Sequence, residues 1–420
     1  MANRKVRSYV TIDSLIVDRM HLNGYDYSGI AGAGTLAEDA FNGTIICNDP
    51  NLNFMFQGAF ALSNKTQNSR YDFFAVVGHA DLNAMNIDKR GISEIQFQTK
   101  ADFTRTSGGD IFGKIDIADI IAKNNQGRHD IGNISLTSHS NDNKFRARLN
   151  SKFADATFDG TAAMTTFVKD LQNVTMKKEI PALFRNPEYE WTGNTYQVSM
   201  KFHDSMNLLA FAIPGFYIAD STSFNARIDR NGALKADLKS SRIAFKEQYL
   251  KGFNAVIDNT DNSLRGNISS NELRVAGMSL NDNNFSLIAN DNHLGVSYRY
   301  ENEDELINRG ELIAVGDVTG NDGSVDLGIK ILPTALYLNS KEWRILPSEM
   351  SFSKDEIHIS KFEIASGEQN IRVSGNTSRT RKDTLSLEMD RFNLSILNPL
   401  IKSDLRIKGA VTGKVMLTSP

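Results

Sequence analysis

Cysteine is almost missing from this chain: Cys47 stands alone among 420 residues, so no intramolecular disulfide framework is possible. Proline occurs only 8 times and tryptophan twice, at Trp191 and Trp343. No apolar run reaches the ~18–20 residues that a membrane-spanning helix needs. The longest, Leu208 to Ala219, is interrupted by Pro214 and Gly215. The opening Met1-Ala2-Asn3-Arg4-Lys5 is basic but has no apolar stretch behind it, so it does not read as a signal peptide. Charge of one sign is missing too. Forty-seven basic residues face 50 acidic ones, and the net charge of −3 gives no field for nucleic acid or an anionic membrane surface.

Asparagine is what the chain has in excess, 40 residues by count, together with 30 glycines. Both are turn formers, because they tolerate positive φ and satisfy backbone groups locally. Between the turns, apolar residues alternate with polar ones. Ile95, Phe97, Ala101 and Phe103 share one face, opposite Glu94, Gln96, Lys100 and Asp102. Leu294, Val296, Tyr298 and Tyr300 follow the same period, as do Val325, Leu327, Ile329 and Ile331, and Leu385, Leu387 and Met389. Period-two alternation with one wet face predicts antiparallel sheets. Asn231-Gly232, Ser107-Gly108-Gly109, Asn141-Asp142-Asn143 and Asn321-Asp322-Gly323 supply hairpin-like connections. The fold class expected is all-β: an elongated, curved antiparallel β-groove, open like a folded taco, with an apolar interior and one or two short helices.

One helix is legible between Thr165 and Ile180, where Phe167, Leu171 and Val174 fall at helical spacing before Pro181. Lys169, Asp170, Lys177 and Lys178 are expected on its wet side. A small motif, apolar-x-Gly-x-apolar, recurs at Gly43, Gly58, Gly266, Gly409 and Gly413, with looser copies at Gly160 and Gly375. A mid-strand glycine costs ~0.5–1 kcal/mol relative to alanine. Its recurrence on the apolar face predicts either a sharp bend or room left inside; ordinary bulge glycine is the plainer explanation. A longer repeat shows in the short segments Leu82–Asn86, Met206–Phe216 and Leu394–Ile401, each an expected hinge before fresh strands. They divide the chain into repeat segments 1–80, 81–205, 206–393 and 394–420, the last truncated.

No catalytic set assembles. The seven histidines are scattered, and Gly127-Arg128-His129-Asp130 with His139 lacks the second ligand pair of a metal site. Gly29 to Gly34 lacks the Lys-Ser/Thr ending and the helix that a phosphate loop requires. Ser351 to Lys354 has the spacing of a Ser/Lys pair but precedes a strand. Eight Asn-x-Ser/Thr sequons arise naturally in so asparagine-rich a chain. The reading is a non-enzyme with neither cofactor nor metal.

Three stretches carry a family resemblance: Phe41-Asn42-Gly43-Thr44-Ile45 running into Asn51–Gly58; Ala80-Asp81-Leu82-Asn83-Ala84-Met85-Asn86; and Trp343–Ser348 through Val373-Ser374-Gly375. In these the chain resembles TamB, the translocation and assembly module family of the AsmA-like superfamily, in the form seen in Bacteroidetes. The resemblance runs across nearly all 420 residues as weak repeated β-motifs. It implies a periplasmic bridge between the inner and outer membranes, anchored in the inner membrane and meeting an Omp85-type partner (TamA-like or BamA-like) at the outer one. This chain would be an interior piece of the groove. The family role is phospholipid transport, support of outer-membrane protein assembly, or both. Read with the alternation, it makes Phe54, Phe56, Phe60, Ile95, Phe97, Phe103, Leu294, Val296, Leu327 and Ile329 candidates to face acyl chains. The alternatives are an extracellular β-structural adhesin and a β-helix carbohydrate-active protein; only two tryptophans argue against the last.

Overall fold

The computed structural model describes residues 9–37, 40–61, 68–183, 190–259, 261–275, 278–302, 307–321, 324–338, 340–379, 382–396 and 406–418. The chain is all-β, with 27 strands and two α-helices among the described residues, and the strand pairings are antiparallel. It divides into two compact units. One comprises Met1–Val168 and Thr195–Thr222, the other Lys169–Asn194 and Ser223–Pro420.

The first unit is a meander. Strands β1 (Tyr9–Leu22), β2 (Tyr25–Ala37), β3 (Ala40–Asp49), β4 (Leu52–Ala61), β5 (Ser69–Asp81), β6 (Ser93–Arg105), β7 (Ile111–Asn124), β8 (Gly127–Asn141), β9 (Lys144–Ser151), β10 (Ala154–Gly160) and β11 (Tyr196–Phe202) each pair with the next. Helix α1 (Met164–Met176), helix α2 (Met206–Ala212) and the short β12 (Phe216–Ile218) follow strands of this unit in the chain. The register explains the alternation. Residues opposite one another in an antiparallel pair share a face. One cross-strand row reads Ile12, Gly34, Gly43, Gly58, Phe73, Ala101, Ile115, Leu136, Leu149, Ala156 and Met200, without a polar side chain in eleven strands. The neighbouring row on the other face runs Asp72, Asp102, Lys114, Thr137 and Arg148.

In that apolar row the glycines mark a bend. A Cβ built on Gly43 would lie 2.2 Å from Ala33 O and 2.6 Å from Gly34 Cα. On Gly58, at φ +139°, it would lie 2.3 Å from Asp72 O and 2.5 Å from Phe73 Cα. Gly113 meets Phe103 in the same way. Adjacent backbones therefore approach more closely than any side chain permits, as glycine allows at a sheet bend. At these positions the bend, rather than empty interior space, explains the motif.

The second unit contains β13 (Ser223–Ile228), β14 (Leu234–Phe245), β15 (Gln248–Asp258), β16 (Leu264–Val275), β17 (Met278–Asn290), β18 (His293–Asn302), β19 (Asn308–Asn321) and β20 (Ser324–Ile331) as a second meander. There the order branches. β19 also pairs with β21 (Thr334–Leu338), which pairs with β22 (Lys341–Ile345), while β20 pairs with β23 (Ser348–Phe352). β22 and β23 both reach β24 (Glu356–Ser366), and β25 (Gln369–Ser378), β26 (Thr384–Asn393) and β27 (Ala410–Thr418) complete the unit. Its apolar row reads Leu264, Ala289, Leu294, Gly316, Ile329, Met350, Ile359, Gly375, Leu385 and Leu417.

Two details differ from the sequence reading. Helix α1 stops at Met176; residues 177–179 form a turn, and Ile180, restricted by the following Pro181, is not helical. Asp170, expected on the wet side, is 1% exposed and accepts a 2.9 Å bond from Asn194 Nδ2. It sits three residues after Phe167 and four before Val174, so it belongs to the inner stripe. Of the three expected hinges, residues 82–86 form a turn, Met206–Ala212 is α2, and residues 394–396 make one 3₁₀ turn. Residues 397–401 of the third, and the 322–323 hairpin positions, lie outside the described residues.

Candidate functional site

The apolar face of β1–β4 encloses a cavity of about 500 Å³, lined by Ile12, Leu15, Val17, Ile30, Ile45, Cys47 and Phe54 among others. Its shape follows from small residues. Gly32 and Gly34 face the floor from β2, so nothing bulky stands between the side chains of β1 and β3. The mouth is wet but apolar: Leu15 is 46% and Leu22 52% exposed. Large apolar residues left in water along a concave face mark an interaction site.

One end of the cavity is closed by packing. Tyr27, Val77, Ala80 and Met85 form a buried cluster against which Leu52, Phe54, Ile95 and Phe97 pack. A second cluster, Ile120, Ala122, Ile131 and Phe211, packs on Leu82, Ile95 and Phe97 as well. The 82–90 turn and α2 thus form a cap. Asp81 Oδ1 accepts the backbone N–H groups of Asn83 and Ala84, at 3.0 and 2.9 Å. Arg90 donates to the C-terminal carbonyls of α2, Phe211 O at 2.8 Å and Ala212 O at 2.7 Å, which no helical N–H satisfies. Asp88 holds Arg90 in place at 2.6 Å, and the guanidinium with Ser93 Oγ keeps that carboxyl far below the usual carboxylate range.

Polar groups beside the cavity are paired. Asp49, 7% exposed, receives Tyr25 OH at 2.5 Å, and Ser28 and Asn51 N–H each at 2.9 Å. Burial pushes its carboxyl up, but those donors win and hold it below its ordinary value. Cys47 is buried, which raises its thiol pKa.

The expected groove residues fall in two sets. In the first unit, Phe54, Phe56, Phe60, Ile95, Phe97 and Phe103 lie on the apolar face, Phe56 being 7% exposed, while Asn53 and Gln96 face water. Among these, Phe54 lines the cavity. Phe56 and Phe60 are filled in by Phe73 and Phe41, with ring centroids 5.2–5.3 Å apart, and Phe103 stacks on Tyr71 at 4.7 Å. Ile95 and Phe97 are covered by the cap. In the second unit, Leu294, Val296, Leu327 and Ile329 share one face of β18 and β20, with Ala314, Gly316 and Val318 of β19 between them. The cavity-lining residues Ile12, Leu15, Val17, Ile30 and Ile45 are not among the candidates that the sequence puts against acyl chains. A bulge between Ile12 and Leu15 breaks the alternation of β1, and the Gly29–Gly34 run masks that of β2.

The catalytic look-alikes resolve into structure. His129 is buried against Asn124 Oδ1 at 2.9 Å. Residues 30–34 continue a strand, and Ser353 Oγ accepts Glu356 N–H in a turn. Among the described residues no group of three His, Cys, Asp or Glu side chains could hold a metal ion, and no helix is long and apolar enough to cross a membrane. The chain matches no protein-family model, no curated protein and no solved structure.

Proposed function

We propose that the chain is a lipid-handling groove protein, whose apolar sheet face takes phospholipid acyl chains. The observation that supports this best is the open, almost wholly apolar cavity of β1–β4, with Leu15 and Leu22 exposed at its mouth. Each methylene buried there contributes ~0.8 kcal/mol, so ten would supply roughly 8 kcal/mol before ordering costs. The resemblance to TamB extends the reading to a periplasmic bridge between inner and outer membranes, meeting an Omp85-type partner and moving phospholipid or aiding assembly of outer-membrane proteins. No catalytic role is assigned. Organic extraction of the purified protein followed by mass spectrometry should give stoichiometric phospholipid. Protein free of lipid, and unable to take it up from vesicles, would sink the proposal and favour an adhesin.

A further inference from the structure

A second cavity, of about 500 Å³, lies in the other unit and has a more polar lining than the groove. Its lining includes Asn173 and Val174 from α1, Glu179, Trp191, Asn231 and Asn259. The site is built. Asn259 is 8% exposed, accepts Leu234 N–H at 2.6 Å and donates to Val174 O at 2.9 Å, tying the end of β15 to the helix. The Trp191 indole is fixed by its Nε1–H bond to Arg230 O at 2.8 Å. Asn292 donates its backbone N–H to Glu179 O at 3.1 Å and accepts Ala182 N–H at 2.7 Å, which anchors the segment bearing Glu179.

Glu179 is 2% exposed, yet its Oε2 has no hydrogen-bond partner. A buried polar atom left unpaired costs ~1–3 kcal/mol and wants a reason. We propose that this cavity binds a neutral saccharide unit, with a sugar hydroxyl pairing with Glu179 and a ring face resting against Trp191. The polar inventory selects that class. Asn173 uses its NH₂ on Lys169 O, and Asn231 uses its carbonyl oxygen on Ala233 N–H. What remains for a ligand is an acceptor at Asn173, a donor at Asn231 and Oε2 of Glu179, whose carboxyl also takes a bond from Asn259; Lys177 lines the cavity as well. Hydroxyls both donate and accept, so a sugar satisfies all three. A phosphate anion would set its charge against the Glu179 carboxyl, and the Lys178 ammonium is already engaged by Asn262 Oδ1.

The test is isothermal titration of the full chain with glucose, galactose and N-acetylglucosamine, with inorganic phosphate as a fourth probe. At least one sugar should bind saturably in the millimolar range or tighter. Trp191→Ala and Glu179→Gln should each weaken it tenfold or more, while Trp191→Phe and the surface variant Lys330→Ala should retain binding. Circular dichroism of each variant guards against misfolding. No binding by any of the three sugars, binding of phosphate alone, or sugar binding indifferent to both Trp191→Ala and Glu179→Gln would overturn the assignment. Lipid content is a separate readout, so failure here leaves the groove reading standing.

Discussion

Gly58 and Gly266 occupy the same place in the same short motif, in different units, and they do different things. A Cβ on Gly58 would strike the Phe73 backbone at 2.5 Å, whereas on Gly266 it would meet only Leu287 Cβ, at 3.7 Å. Gly413 has nothing within 4 Å. At Gly58 the motif is a bend across neighbouring strands; at Gly266 it is a gap in an otherwise apolar row, although a Cβ on the looser copy at Gly375, also in the second unit, would meet Thr384 O at 2.2 Å. The cores differ as well. The first unit covers part of its face with the Met85 and Phe211 clusters and leaves Leu15 46% exposed at the cavity; Ile257 and Ile268 of the second stay 44% and 40% exposed. The lesson is that one sequence signature serves two mechanical ends, and only the neighbouring backbone tells them apart.

The largest effect expected follows from that contrast. Gly58→Ala forces a side chain into backbone at a φ that L-residues rarely adopt, and should destabilise the first unit by ~3 kcal/mol or more. Gly266→Ala should stay within ~1 kcal/mol of wild type. Urea titration checks both, and equal losses would abolish the distinction. Next comes the cap. Met85, 2% exposed, should cost ~2–5 kcal/mol when changed to alanine, and hydrogen exchange should show the 82–90 turn and α2 losing protection together.

Charge sharpens the comparison within the second unit. Glu363 is 5% exposed; Lys361, Asn370 and Arg372 hold its carboxyl down at about 2. A depressed pKa means the carboxylate contributes stability above the unfolded value of 4.5, lost as pH falls towards 2. Glu363→Gln should therefore melt several degrees lower at neutral pH, with the difference vanishing near pH 2. Glu179 runs the other way and more weakly. Burial raises its pKa, so its cost appears as pH rises through the folded value. Glu179→Gln should gain stability relative to wild type from acid to neutral pH, by a degree or two in melting temperature.

Much of this architecture is legible in the sequence. The face of Phe97 and Val296 follows from alternation, and helix α1 from the spacing of Phe167, Leu171 and Val174. Other features are not local. Asp170 looks like a surface charge until Asn194, 24 residues on, supplies its partner. Met85 and Phe211 join one cap through shared packing on Leu82, Ile95 and Phe97 and through Arg90, which bridges 121 residues to the end of α2. The cavity hides behind a bulge at residues 13–14, where the period of two fails.

Photo-crosslinking in cells, from Leu15 on the cavity side of β1 and from Ile16 on the opposite side, tests the central claim most directly. Both residues are exposed, at 46% and 75%, so accessibility alone favours Ile16. The account predicts phospholipid captured from Leu15 and not from Ile16. Equal capture from both, or none from Leu15, would contradict it.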